Sequence, residues 1–159
     1  MNQPNPQSGS IMWQGIALPG FAAPLASVGK VRCDALLAHL DRLLPSSHAA
    51  YGPPSPTRRP VQSAGSPDAC RACKGYCCRN GGDMAFLTDQ ALRVVWSEQP
   101  HTRKGDLIAA YANSIPDVAS EGSCIFHAEH GCNLPDQLRS VICKTYLCDP
   151  LKEAQSTSA

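Results

Sequence analysis

The sequence has almost no net charge and no long hydrophobic run. It holds 14 Lys plus Arg against 13 Asp plus Glu, which gives a formal net charge of +1. This balance offers no broad attraction to nucleic acid or to an anionic membrane, so neither is expected as a partner. The stretch Met1–Ser10 contains no Lys or Arg, and the apolar stretch that follows is interrupted by Gln14, Pro19, Gly20 and Pro24. It resembles neither a signal peptide nor a membrane span, and a cytoplasmic location is expected.

The familiar catalytic motifs are missing too. The sequence has no GxSxG, HExxH, P-loop or dinucleotide fingerprint, and Gly81-Gly82 is better interpreted as a turn than as a phosphate loop. It also has no internal repeat, because its two cysteine groups differ in spacing. No motif therefore predicts an enzyme, and a binding module is the expected class.

What the sequence does have is an uneven distribution of proline and cysteine. Ten of the 14 prolines come before residue 70, whereas eight of the nine cysteines lie between Cys70 and Cys148. This distribution predicts a small, irregular, Cys-rich domain organised around a metal centre over residues 70–148, preceded by a flexible Pro-rich N-terminal region.

The rest of the chain divides by composition and periodicity. Residues 1–29 sustain no period and are expected to be an irregular tail, and residues 149–159 a C-terminal tail. Apolar residues at helical spacing, Val31 to Leu44, predict a loosely attached amphipathic helix over residues 30–44. Residues 45–69 hold six prolines and are expected to be a linker.

Within the Cys-rich region, helical spacing predicts a mainly α fold. Thr88 can cap a helix that ends before Pro100, and a second helix is expected from about Lys104 to Asn113. A third is expected from about Asp136 to Tyr146. Because few large apolar residues remain to build a core, the fold is expected to depend on crosslinks or on a bound metal.

The cysteines can provide this stabilisation by binding metal. A CxxC pair lets two sulfurs point at one ion while nearby amides donate to them, and Gly75 permits the tight turn that this needs. The expected ligands are Cys70, Cys73, Cys77, Cys78, Cys124, Cys132, Cys143 and Cys148. Lys and Arg residues lie within a few positions of these sulfurs and would offset thiolate charge.

Two pairs do not fit a single ion. Adjacent side chains diverge, so Cys77 and Cys78 suggest two ions or a bridged cluster. On an unbroken helix Cys143 and Cys148 would lie about 140° apart, so either the helix ends near Tyr146 or these thiols serve different metals.

A disulfide framework is the alternative use of eight cysteines. The missing signal peptide, the odd ninth cysteine and the CxxC spacing all favour metal instead. Cys33 stands alone on the first helix and is expected to be a small apolar residue rather than a ligand. His127 and His130 could replace a thiolate, although solvated loop histidines are commoner.

The cysteine pattern resembles the YkgJ-type cysteine-cluster family of zinc- or iron-chelating domains. The resemblance rests on the runs CxxCKGYCCRNGG, CIFHAEHGC and RSVICKTYLC, which cover about residues 70–148 with all eight cysteines in order. The sequence departs from the family at Asn133, Ser140 and Lys144, where members usually have an apolar or aromatic residue, Pro and Arg.

The resemblance implies a metal-chelating module of undefined biochemical role, for which another protein is the partner to consider. Zinc is the first expectation for a closed four-thiolate site, and iron or an iron–sulfur cluster is the close competitor. A similar cluster in flagellin lysine methylases gives the alternative, a cluster-dependent enzyme or accessory subunit in methyl transfer or redox chemistry.

Overall fold

A computed structural model describes residues 9–51, Ala69 and residues 72–157 of the chain. In this part the chain forms five α-helices and three two-stranded antiparallel sheets. The helices are α1 (Lys30–Leu43), α2 (Asp89–Ser97), α3 (Lys104–Asn113), α4 (Val141–Thr145) and α5 (Asp149–Thr157). The strands are β1 (Ser10–Trp13), β2 (Ile16–Pro19), β3 (Leu25–Ser27), β4 (Val118–Ser120), β5 (His127–Ala128) and β6 (Gly131–Cys132). No helix in these described ranges has both the length and the apolar character needed to cross a membrane.

The segment expected to be an irregular tail contains three strands, so that expectation was wrong for its described part. Strands β1 and β2 form a hairpin whose turn is Gln14-Gly15, with φ of 47° and 81°. A two-residue hairpin turn of this hand needs positive φ at both positions, and Gly15 supplies one at no steric cost. Strand β3 pairs with β4, just before Cys124. The N-terminal segment is therefore tied to the Cys-rich region.

Helix α1 is part of the main hydrophobic core, which corrects the expectation of a loosely attached helix. Its Leu36 and Leu40 side chains are fully buried and join a cluster of buried residues that includes Trp96, Tyr111 and Phe126. Val31, expected on the apolar face, is instead 82% exposed. From the same helix, Arg32 pairs with the Asp83 carboxylate at 2.5 Å and donates to the Ser123 carbonyl oxygen at 2.7 Å.

The two helices predicted after the first cysteine segment are present as α2 and α3. Thr88 caps α2, with its Oγ1 accepting from the Ala91 N–H at 3.2 Å, as the sequence predicts. Trp96 is buried against the two helices and donates to the Thr102 carbonyl oxygen at 2.7 Å. Tyr51, which follows α1 in a short 3-10 turn, stacks edge-on against Trp96.

The predicted helix over residues 136–146 is wrong in its first half. The chain makes a 3-10 turn at Asp136–Leu138, and Arg139 and Ser140 are extended. Ser140 then caps the short helix α4, because its hydroxyl accepts from the Cys143 N–H. The expected C-terminal tail contains helix α5. The remainder of the predicted linker and tails, residues 1–8, 52–68 and 158–159, lies outside the described residues.

A second, smaller hydrophobic cluster joins the two ends of the described chain. Its buried members are Leu18, Ala69, Cys73, Leu147 and Leu151, and the partly buried Trp13 and Ile16 pack against it. It lies between the β1–β2 hairpin, the first cysteine segment and α5.

We expect Leu40→Ala to lower the free energy of unfolding by about 2–5 kcal/mol, because it opens a cavity in the main core. Chemical denaturation followed by circular dichroism would measure this. The matched control on the same helix is Val31→Ala, which should change stability by less than about 0.5 kcal/mol because Val31 is exposed. Equal effects of the two substitutions would mean that α1 is not packed in the core.

Candidate metal centre

The first cysteine segment is a tight turn built on two left-handed residues. Lys74 and Gly75 have φ of 53° and 69°, and the chain then enters a 3-10 turn at Tyr76–Asn80. Cys78 N–H donates to the Gly75 carbonyl oxygen at 2.8 Å. The positive φ of Gly75 provides the tight turn between Cys73 and Cys77 that the sequence predicts. Cys70 lies outside the described residues.

The second segment docks directly on the first. Cys124 N–H donates to the Cys78 carbonyl oxygen at 3.0 Å, and His127 N–H closes a turn onto the Cys124 carbonyl oxygen at 2.8 Å. Strands β5 and β6 then pair His127 with Cys132. Gly81 is needed at this junction, since an added Cβ would lie 2.9 Å from the Cys124 Cβ.

The third segment turns sharply between its two cysteines. Helix α4 ends where Tyr146 becomes extended, with φ −67° and ψ 125°. Cys148 therefore does not lie on α4 but begins α5, its carbonyl oxygen accepting from the Leu151 and Lys152 N–H groups. The structure thus confirms one of the two possibilities raised by the sequence, that the helix ends near Tyr146.

The seven described cysteines of these three segments form two adjacent groups. Cys78, Cys124 and Cys132 are part of the main hydrophobic cluster or pack against it. We call these three residues and Cys143, whose thiol interacts electrostatically with those of Cys124 and Cys132, the core group. We call Cys73, Cys77 and Cys148 the terminal group, since they line one cavity with residues of the smaller cluster.

In the core group, burial and then the neighbouring thiols raise the pKa of Cys124 and Cys143, and Cys77 of the terminal group adds to the shift of Cys143. Burial raises the pKa of Cys124 to about 12, and the nearby Cys132 and Cys143 thiols add to the shift. Cys143 as a residue is exposed. Partial burial of its sulfur nevertheless raises its pKa, the Cys132 and Cys77 thiols add to the shift, and the Ser140 hydroxyl, which donates to the sulfur at 3.2 Å, opposes it. Arg139 lies beside this group and donates to the Cys132 carbonyl oxygen.

The two groups meet at the CC pair. The hydrogen bond between the two thiols lowers the pKa of Cys77 to about 7, and the same bond, with burial, raises the pKa of Cys78 far above its usual range. The Cys124 and Cys132 thiols add to the shift of Cys78. Cys78 is therefore close to Cys124 and Cys132, whereas Cys77 lines the cavity of the terminal group and also lies near Cys143 of the core group.

In the terminal group, burial raises the pKa of Cys73, and the Tyr76 and Gly75 N–H groups that bond to its sulfur oppose the shift. Cys77 and Cys148 add to the shift, which places them close to Cys73. A cavity of about 20 Å³ lies at this group. Its lining also includes Leu18, Pro19, Ala69, Tyr76, Tyr146 and Leu151. A volume of this size has room for one water-sized occupant.

The chemistry of these donors suits zinc or iron. Thiolates are the ligands that both metals accept in four-coordinate sites, and backbone N–H groups hydrogen-bond to the Cys73, Cys77 and Cys124 sulfurs, which is a common feature of such sites. Within the described ranges, however, no three His, Cys, Asp or Glu side chains are arranged to hold a metal ion. The thiols are gathered by the backbone without converging on one point.

The remaining candidates lie elsewhere. Cys33 is on α1 and is partly buried. His130 is a solvated loop residue, with 92% of its side chain exposed. His127 is not solvated, contrary to the commoner case for a loop histidine: it is 2% exposed and its ring binds other protein groups. The sequence positions of the two histidines do not predict which of them is buried. The difference arises in the fold, where His127 pairs with Cys132 in the β5–β6 sheet.

Comparisons with known proteins found no matching family model, curated protein or solved structure. The resemblance to the cysteine-cluster family stays a prediction from the motifs themselves.

Proposed function

We propose that this chain is a metal-binding cysteine-cluster module whose thiolates hold zinc or iron at two adjacent groups. The observation that carries the proposal is the division of the described cysteines into a core group and a terminal group, each with backbone N–H groups directed at a sulfur. Four residues of the core group come from three separate segments. A fold that only buried cysteines as small apolar residues would not need them together.

In this proposal the thiols of Cys78, Cys124, Cys132 and Cys143, which do not converge in the structure, move together to bind one ion. The terminal group binds a second through Cys73, Cys77 and Cys148, with Cys70 as the fourth ligand expected from the CxxC spacing. Zinc bound by four thiolates would have a structural role, because no open coordination position remains for a reaction. A reducing, cytoplasmic setting suits this chemistry, since it keeps the thiols from forming disulfides.

Metal analysis of protein purified without oxygen tests the proposal directly. We expect more than one metal atom per chain, and a colourless protein if the metal is zinc. A brown protein with broad visible absorption would indicate an iron–sulfur cluster.

Cysteine substitution provides the matched control. Cys73→Ser and Cys143→Ser should each lower the metal content, because each leaves an ion under-coordinated. Cys33→Ser should leave the metal content unchanged, since Cys33 lies on α1 outside both groups. Equal loss from Cys33→Ser and Cys73→Ser, or no bound metal in the unsubstituted chain, would contradict the proposal.

A further inference from the structure

His127 lies between the first two cysteine segments and contacts both. It is part of β5, opposite Cys132, and its N–H is bonded to the Cys124 carbonyl oxygen. Its Nδ1 lies 2.7 Å from the Oγ of Ser123, which is itself buried. One side of the imidazole is thus fixed to the segment that carries Cys124 and Cys132.

The other side of the ring faces the first cysteine segment. The Lys74 backbone carbonyl oxygen accepts a hydrogen bond from the imidazole. The Nε2 atom of His127 lies close to Gly75. A Cβ added to Gly75 would be 2.7 Å from this Nε2 and 3.2 Å from the Cys78 Sγ. Because a backbone carbonyl only accepts, Nε2 carries the hydrogen, and Nδ1 accepts from the Ser123 hydroxyl.

Phe21 supports the same arrangement from the N-terminal side. Its ring packs on the His127 ring, with 5.3 Å between centroids, and its N–H donates to the Cys73 carbonyl oxygen at 3.2 Å. Both ring nitrogens of His127 are therefore bonded to protein groups, and its ring faces are enclosed. This arrangement suits a residue that positions ligands better than one that binds the metal itself.

We propose that His127 is a positioning residue that fixes the Lys74–Gly75 turn against the Cys124–Cys132 segment and thereby couples metal binding at the two thiol groups. The inference rests on the proposed metal-binding function. When one group binds an ion, the segments that form it are held in place. Through the His127 contacts, the Lys74–Gly75 turn is then held in place as well, and this turn positions Cys77 for the terminal group and Cys78 for the core group.

The test uses the full chain with Co²⁺ as the probe, because thiolate-bound Co²⁺ has a distinctive absorption spectrum. Cys148→Ser disables the terminal group and Cys132→Ser disables the core group, so each variant reports the affinity of the other group. The coupling between the two groups is the difference between the Co²⁺ affinity of each group alone and its affinity in the unsubstituted chain. We expect His127→Ala to lower Co²⁺ affinity about 10- to 100-fold, the usual effect of losing a residue that orients ligands. We also expect coupling to disappear, whereas a loss of general stability alone would leave it in place.

Two controls make the effect specific. His130→Ala should bind Co²⁺ like the unsubstituted chain, since His130 is solvated. His127→Gln should restore part of the affinity and the coupling, because its amide can donate to the Lys74 carbonyl oxygen.

A glycine pair tests the same contact without altering His127. Gly75 and Gly82 both have positive φ, at 69° and 51°, so Ala at either position introduces similar backbone strain. Only the Gly75 Cβ would meet neighbours, namely the His127 ring and the Cys78 sulfur. We expect Gly75→Ala to weaken Co²⁺ binding much more than Gly82→Ala, which keeps the test available if His127→Ala does not fold.

The outcomes separate this inference from the function on which it rests. An unsubstituted chain without Co²⁺–thiolate absorption overturns the metal-binding function and the inference with it. A chain that binds Co²⁺ while His127→Ala keeps normal affinity and coupling overturns the inference alone, as do equal effects of Gly75→Ala and Gly82→Ala.

Discussion

Removing the metal is expected to release the β1–β2 hairpin and helix α5 while the main helical core stays folded. The main core joins α1, α2 and α3 with the segment after Cys124. Because α1 and Tyr51 add buried residues that the sequence did not assign to this core, we expect it to stay folded without metal, which revises the expectation that the whole domain depends on the cysteines. The smaller cluster has only five buried residues, one of which is the candidate ligand Cys73. A cluster of that size needs the binding free energy of an ion to stay assembled.

The two tryptophans of the chain report on the two regions separately. Trp13 packs against the smaller cluster, whereas Trp96 is buried in the main core. In Trp96→Phe, chelation under reducing conditions should shift the Trp13 emission to longer wavelength. In Trp13→Phe, the Trp96 emission should stay unchanged until denaturant unfolds the core. Loss of both signals together on chelation would mean that the whole fold depends on metal, and no change in either would mean that neither region does.

The second large effect is expected from cysteine substitutions that separate the two groups. Cys148→Ser should remove the ion of the terminal group and Cys132→Ser that of the core group, so each single variant loses about half of the metal and the double variant loses all. Native mass spectrometry of the anaerobically prepared protein would count the ions in each chain.

The CC pair sharpens this experiment. Cys77→Ser should resemble Cys148→Ser, and Cys78→Ser should resemble Cys132→Ser, although the two replaced residues are adjacent. If the thiols formed one shared cluster, any of the four substitutions would lose all of the metal. A single mononuclear site with Cys78→Ser silent would contradict the division into two groups.

The helices with strong local signals were predictable from the sequence. Thr88 as the cap and Pro100 as the limit of the helix predicted α2, which runs from Asp89 to Ser97. The break at Ser140 was not predicted, because apolar periodicity continues through a residue whose hydroxyl can start a new helix. The hairpin at Gln14-Gly15 was missed because its strands are short and half exposed, although two short runs separated by exactly two residues with Gly second are a hairpin signal.

For the candidate site, the sequence predicts which cysteines are ligands but not how they are grouped. The grouping depends on the docking of Cys124 onto the Cys78 backbone and on the change of direction between α4 and α5. Both are tertiary features. The burial of His127 is likewise set by its surroundings, since Ser123 and Phe21 reach it only in the folded chain.

The division of the CC pair also bears on when a metal could be acquired during protein synthesis. Each group joins cysteines from the first segment to one from the third, and Cys78 and Cys143 are 65 residues apart in the sequence. At translation rates of about 5–20 residues per second, the early thiols wait several seconds for their distant partners. Neither group can be completed while the ribosome is still adding the residues between them. A nascent chain would therefore expose its CxxC and CC thiols as partial, exchangeable sites. Lasting metal occupancy would begin at the core group only after Cys143 has emerged, and at the terminal group only after Cys148 has emerged.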